Sequence, residues 1–171
     1  MAAFATLAVC YRYPAPGRLD ELCVLAQQVE SPAVREPLDR FLEQIGELQL
    51  WEWEELHTRT LDLAPVFVPY VGHSIWGERY ERGEFMAALK RAQQARGVDP
   101  DGELPDHLVP VLRYLDSNSS PIPELVEVIE RAIERMLRDL RKAEPENPYC
   151  GLLDATREAA KTLEAVVGGA R

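Results

Sequence analysis

Ile122-Pro123-Glu124-Leu125-Val126-Glu127-Val128-Ile129-Glu130-Arg131-Ala132-Ile133-Glu134-Arg135-Met136-Leu137-Arg138-Asp139-Leu140 carries apolar residues at alternating steps of four and three: Ile122, Val126, Ile129, Ile133, Met136 and Leu140. Steps that average about 3.6 residues put those side chains on one face of an α-helix. Charges of both signs fill the rest of residues 127–142. Glu127/Arg131 and Glu134/Arg138 stand four apart, the spacing at which opposite charges meet on a helix surface. The stretch reads as a long amphipathic helix with a solvated outer face.

The same period continues outward in both directions. Before it, residues 117–123 form a polar, proline-containing connection. Leu108, Val111, Leu112 and Leu115 mark a preceding helix, with Pro105 suited to its first turn. Phe85, Met86, Leu89, Ala92 and Gln93 make another, closed by Gly97 just past its end. Trp53, Leu56, His57 and Thr60 share one face, and so do Leu63, Val66, Phe67, Tyr70, Val71 and Ser74, with Pro69 kinking that helix or moving its start.

Nearer the N-terminus, Phe4, Leu7, Ala8 and Tyr11 form one seam and Leu19, Leu22, Cys23, Ala26 and Val29 a second. Ser31-Pro32 breaks the chain, and Pro37 is expected in the first turn of a helix presenting Leu38, Phe41, Leu42 and Ile45. On the C-terminal side, Asn147-Pro148 has the form of a cap and first residue for a helix carrying Tyr149, Leu152, Leu153, Thr156 and Ala160. Val66-Phe67-Val68 is the only β-leaning run. The expectation is an all-α fold of eight or nine helices, one domain over residues 1–171.

Charge and composition narrow the function. The 171 residues carry 19 basic and 29 acidic side chains, a formal charge of −10. Nucleic-acid and anionic-membrane surfaces call for clustered Lys and Arg, so the balance favours a cationic partner such as a basic peptide. The apolar N-terminal residues lack a basic leader, no apolar run approaches the roughly 20 residues of a membrane span, and no Arg-Arg pair is present. Cys10, Cys23 and Cys150 are odd in number and widely spaced, as reduced thiols would be. A cytoplasmic location is expected.

Little in the chain points to catalysis. No serine stands in a Gly-x-Ser-x-Gly elbow, and no cysteine lies near a histidine in sequence. His57, His73 and His107 form no metal-ligand spacing, and Gly72 and Gly77 form no phosphate-binding loop. The reading is a non-enzyme with no cofactor and no metal; His107 bonds or caps near a helix start. Two acidic clusters remain: residues 43–55, five glutamates interleaved with Trp51 and Trp53, and residues 99–106, four carboxylates, neither with a basic residue. Each reads equally as a solvated face. Together with exposed tryptophans they could accept a basic amphipathic helix, the rings burying its apolar side and the carboxylates pairing its Arg and Lys.

Two further segments carry a resemblance: Gly77-Glu78-Arg79-Tyr80-Glu81-Arg82-Gly83, and Glu103-Leu104-Pro105-Asp106-His107-Leu108 after a Gly-closed helix. Their order resembles the NarJ branch of the TorD/DmsD/NarJ maturation chaperones, more weakly over residues 7–159. The matching positions are Asp62, Gly77, Glu78, Arg82, Gly83, Glu103, Leu104, Pro105, Asp106, His107 and Leu108, with Asn147 and Tyr149 in a weaker C-terminal pattern. The resemblance implies a helical chaperone that binds the basic N-terminal segment of a nitrate reductase catalytic subunit. It would hold that subunit while the molybdenum cofactor is inserted and the complex assembles. Dimethyl sulfoxide or trimethylamine oxide reductase relatives are alternative clients, and a helical scaffold or oligomerisation module without a groove is the alternative of another class.

For the matched residues two roles stand side by side: contact with the peptide, or a buried polar network of Glu78, Arg82, Asp106 and His107 that fixes the hinge between helices. Leu104 and Leu108 are expected in the core. Two positions depart from the family pattern: Val109 precedes Pro110, where proline usually follows at once, and Arg113 replaces a glutamate before Tyr114.

Overall fold

In a computed structural model, which describes residues 2–63 and 65–168, the amphipathic stretch forms the longest helix among the described residues. α8, Pro123–Ala143, buries Leu125, Val126, Ile129, Ile133, Met136 and Leu140 along one face. Pro123 takes the first helical position, where its missing N–H is no loss. The surface pairing expected along α8 does not form. Among the described residues neither Glu127/Arg131 nor Glu134/Arg138 is an ion pair; Arg138 instead meets Asp139, and Arg141 meets Asp154 on the next helix.

The remaining helices are α1 (Ala2–Cys10), α2 (Arg18–Ala26), α3 (Pro32–Gly46), α4 (Leu50–His57), α5 (Val71–Trp76), α6 (Tyr80–Ala95), α7 (Leu108–Ser117) and α9 (Tyr149–Gly168). A single π-helical turn, Thr58–Asp62, extends α4. The described residues are all-α and share one hydrophobic core. α9 lies at its centre, packing most extensively on α3 and α8, while α1 packs on α7 and α5 on α8. Phe41 of α3 meets the ring of Tyr149 on α9 at 5.3 Å. No helix among the described residues is long and apolar enough to cross a membrane.

Three helix starts differ from expectation, and proline explains each. α3 begins at Pro32 after Ser31, leaving Pro37 inside the helix instead of in its first turn. The carbonyl that loses its donor there belongs to exposed Ala33, where water can replace it. The helix expected from Leu63 is shortened to Val71–Trp76. Pro69 forces the residue before it toward extended backbone, and Leu63 is left 71% exposed. α7 begins at Leu108 instead of near Pro105, so that Pro110 falls in its first turn. Burial differs at two more places: Cys23 is exposed while Cys10 and Cys150 are buried, and Leu104 is 48% exposed, outside the core.

Candidate functional site

The extended residues before α5 and those before α7 lie antiparallel and bridge Tyr70 to His107. Val71 N–H donates to the Asp106 carbonyl at 2.7 Å, and Leu108 N–H to the Pro69 carbonyl at 3.0 Å. This crossing carries Asp106 to full burial. Its carboxylate receives Arg82 Nε at 2.9 Å and Nη2 at 3.4 Å, a side-on guanidinium pair reaching across from α6. Glu78 accepts from Arg82 Nη1 at 3.2 Å and lies 3.0 Å from His73 Nδ1. Gln93 ties the far end of the loop by donating to the Pro105 carbonyl at 2.8 Å.

Gly72 is what lets the clamp close. A Cβ there would stand 2.8 Å from Asp106 Oδ2 and 3.1 Å from Arg82 and Phe85. Arg82 and Asp106 thus form a buried pair, but Glu78 joins it from the surface with its side chain 82% exposed, so it is not part of a buried network as expected. Gly77 ends α5 at φ 62°, and Gly83 lies on the exposed face of α6 with open space around it. Leu108 is buried.

His107 sits beside the network, capping α7: its Nδ1 accepts the Val109 N–H at 3.2 Å. Its ring also meets the Tyr70 ring edge-on at 5.0 Å. Burial lowers its pKa below the ordinary value, against the pull of Glu103, Asp106 and Asp62. Tyr70 donates its hydroxyl to Glu103 at 2.9 Å; burial, then this bond, push its pKa up to about 12.

Asp62, Glu103 and His107 come together on one polar cavity of about 360 Å³, which Arg12, Arg18 and His57 also line. His57 Nδ1 is 2.9 Å from the Tyr149 hydroxyl, which itself accepts from Trp53 Nε1 at 3.3 Å. On the other side of the ring, His57 Nε2 lies 3.9 Å from the Asp62 carboxylate. Burial lowers the pKa of His57 too, opposed by Asp62.

Most of the second acidic cluster is occupied within the fold. Asp99 accepts from Asp101 N–H at 2.9 Å, Asp101 pairs with Arg12 and Arg113, and Asp106 is in the clamp. Arg113, where a glutamate was the family pattern, holds this loop by donating also to the Asp99 carbonyl at 3.1 Å.

The first cluster is different. Trp51 is 62% exposed, whereas Trp53 is buried, not exposed as expected. Trp51 stands over a separate groove of about 590 Å³ with Leu48, Leu56 and Pro148 on its floor. Glu47, Glu55 and Glu146 line the groove and have no ion pair among the described residues; its one basic residue, Arg59, is paired with Glu144 at 3.1 Å. The two acidic clusters therefore do not build one groove. Asn147 braces this one, donating to Thr60 and Glu144 and accepting from Tyr149 N–H at 3.0 Å. Contributions of Pro148 and Glu146 to the groove, and of Gly72 to the clamp, were not legible from spacing.

Compared with known proteins, the chain matches no family profile, and no curated protein matches it closely enough to count as a relative.

Proposed function

We propose that this protein is a non-catalytic binding module of the maturation-chaperone kind, which holds a basic amphipathic segment of a nitrate reductase-like catalytic subunit at the Trp51 groove. The observation that carries the reading is an exposed indole over an apolar floor, ringed by three unpaired carboxylates. A helix laid there buries its apolar side against Trp51, Leu48 and Leu56 and brings its Arg and Lys to Glu47, Glu55 and Glu146. The turn that extends α4 is tied to the residues before α9 by Arg59–Glu144 and Asn147–Thr60, which holds the two sides of the groove together. The matched residues Glu78, Arg82 and Asp106 hold the scaffold in this account, and Asp62, Glu103 and His107 line the smaller polar cavity.

Tryptophan fluorescence tests it. A peptide copying the N-terminal segment of the cognate catalytic subunit should shift the emission of Trp51 to shorter wavelength. The Trp51→Phe variant should lose most of that shift, because Trp53 is already buried and Trp76 partly so. Binding that disappears in Asp62→Asn/Glu103→Gln but survives Glu47→Gln/Glu55→Gln would move the site to the polar cavity. Peptides from dimethyl sulfoxide and trimethylamine oxide reductase relatives, titrated alongside, identify the client.

A further inference from the structure

A protein of net charge −10 has a cavity lined by five arginines, where that balance reverses. Between α8 and α9 a pocket of about 530 Å³ is lined by Arg131, Arg135, Arg138, Arg141 and Arg157 against a single carboxylate, Glu134, with Leu137 beneath. Three of these guanidinium groups are held from behind. Arg135 Nη1 donates to the Ser74 carbonyl at 2.9 Å, and Asp154 accepts from both Arg141 and Arg157. The other two are free to turn: Arg131 has no ion pair among the described residues, and Arg138 has only its neighbour Asp139. Asp139 and Asp154 offset part of the charge, and Lys161 answers Glu158, the remaining partner of Arg157. Two positive charges are left over.

We propose that this pocket binds a phosphorylated small molecule. Guanidinium groups match the oxygens of a phosphate in pairs, and the three already held by the Ser74 carbonyl and Asp154 lose little freedom on binding. The excess of two charges matches a dianion. The site is distinct from the Trp51 groove in both charge and place, and does not depend on what that groove binds.

Calorimetric titration of the full chain with pyrophosphate, at constant ionic strength in sodium chloride, tests it. The wild type gives saturable binding, and Arg131→Gln/Arg138→Gln weakens it by about tenfold or more for each charge-assisted hydrogen bond lost. Both positions are exposed, and circular dichroism checks that the double variant stays folded. Arg40→Gln/Arg91→Gln, which removes the same net charge elsewhere on the surface, leaves the affinity unchanged. Vesicles containing phosphatidate separate the two sources of a phosphate: no retention of the protein identifies a free small molecule, and retention that pyrophosphate displaces identifies a lipid headgroup. Absence of saturable pyrophosphate binding, or equal weakening in the Arg40/Arg91 control, overturns the proposal.

Discussion

Asp106 shows how one residue can join two helices. Its carboxylate is fully buried and pairs with Arg82, and a Cβ added at Gly72 would stand 2.8 Å from its Oδ2. Without Asp106, Arg82 keeps only the exposed Glu78 as an ion partner among the described residues. Asp106→Ala is therefore expected to destabilise by roughly 3–5 kcal/mol in urea unfolding. Gly72→Ala, which drives a methyl group onto the same carboxylate, is expected to destabilise by about 1–3 kcal/mol.

His57, which is buried, and His107, which is half-buried, set a pH dependence. Both have pKa values below the ordinary 6.5, so they stay neutral in the fold and take up protons more readily once the chain unfolds. Their contribution is complete above that value and is lost as pH falls through it toward the lower folded values. The melting temperature should fall between about pH 7 and pH 5, and His57→Gln/His107→Gln should show a flatter profile over that window. An equal slope in the two proteins would contradict the assignment.

At the scale of the element, helical periodicity was enough to find the helices, because each buries one face. The chain positions of Phe41, Leu89, Val111 and Ile133 announced their burial. Helix starts were harder to read, since a proline states where a helix can begin without saying which of several prolines decides. Pro32 prevailed over Pro37, and Pro110 over Pro105, through local carbonyl access and the backbone bridge at Tyr70. The closure of α6 was legible in full: Gly97 at φ 67° donates to the Gln94 carbonyl, and Val98 to Gln93, satisfying carbonyls that the last turn leaves open.

Gly83 is the exception on that helix. It stands exposed in the interior with no neighbour that a methyl group would meet. Gly83→Ala should therefore stabilise the free protein by about 1 kcal/mol, read as a raised urea midpoint at constant slope. A loss of stability would show that the glycine serves a contact within the fold.

At the scale of the whole molecule, the sequence told of acidity but not of its distribution. Of the two acidic clusters, residues 99–106 are largely occupied by Arg12, Arg82 and Arg113, partners remote in sequence. Residues 43–55 keep Glu47 and Glu55 unpaired, and Glu146 joins them from the other end of the chain. Which carboxylates remain available is a property of the fold, and no spacing along the chain encodes it. In the proposed function, these three carboxylates and Trp51 hold a basic segment. That binding is tested most directly by calorimetric titration of the catalytic subunit's N-terminal peptide across a salt series. Binding should weaken steadily as the screening length falls from about 10 Å near 0.1 M salt, and should be largely lost in Trp51→Ala/Glu55→Gln. Binding indifferent to salt, or undiminished in that variant, would contradict it.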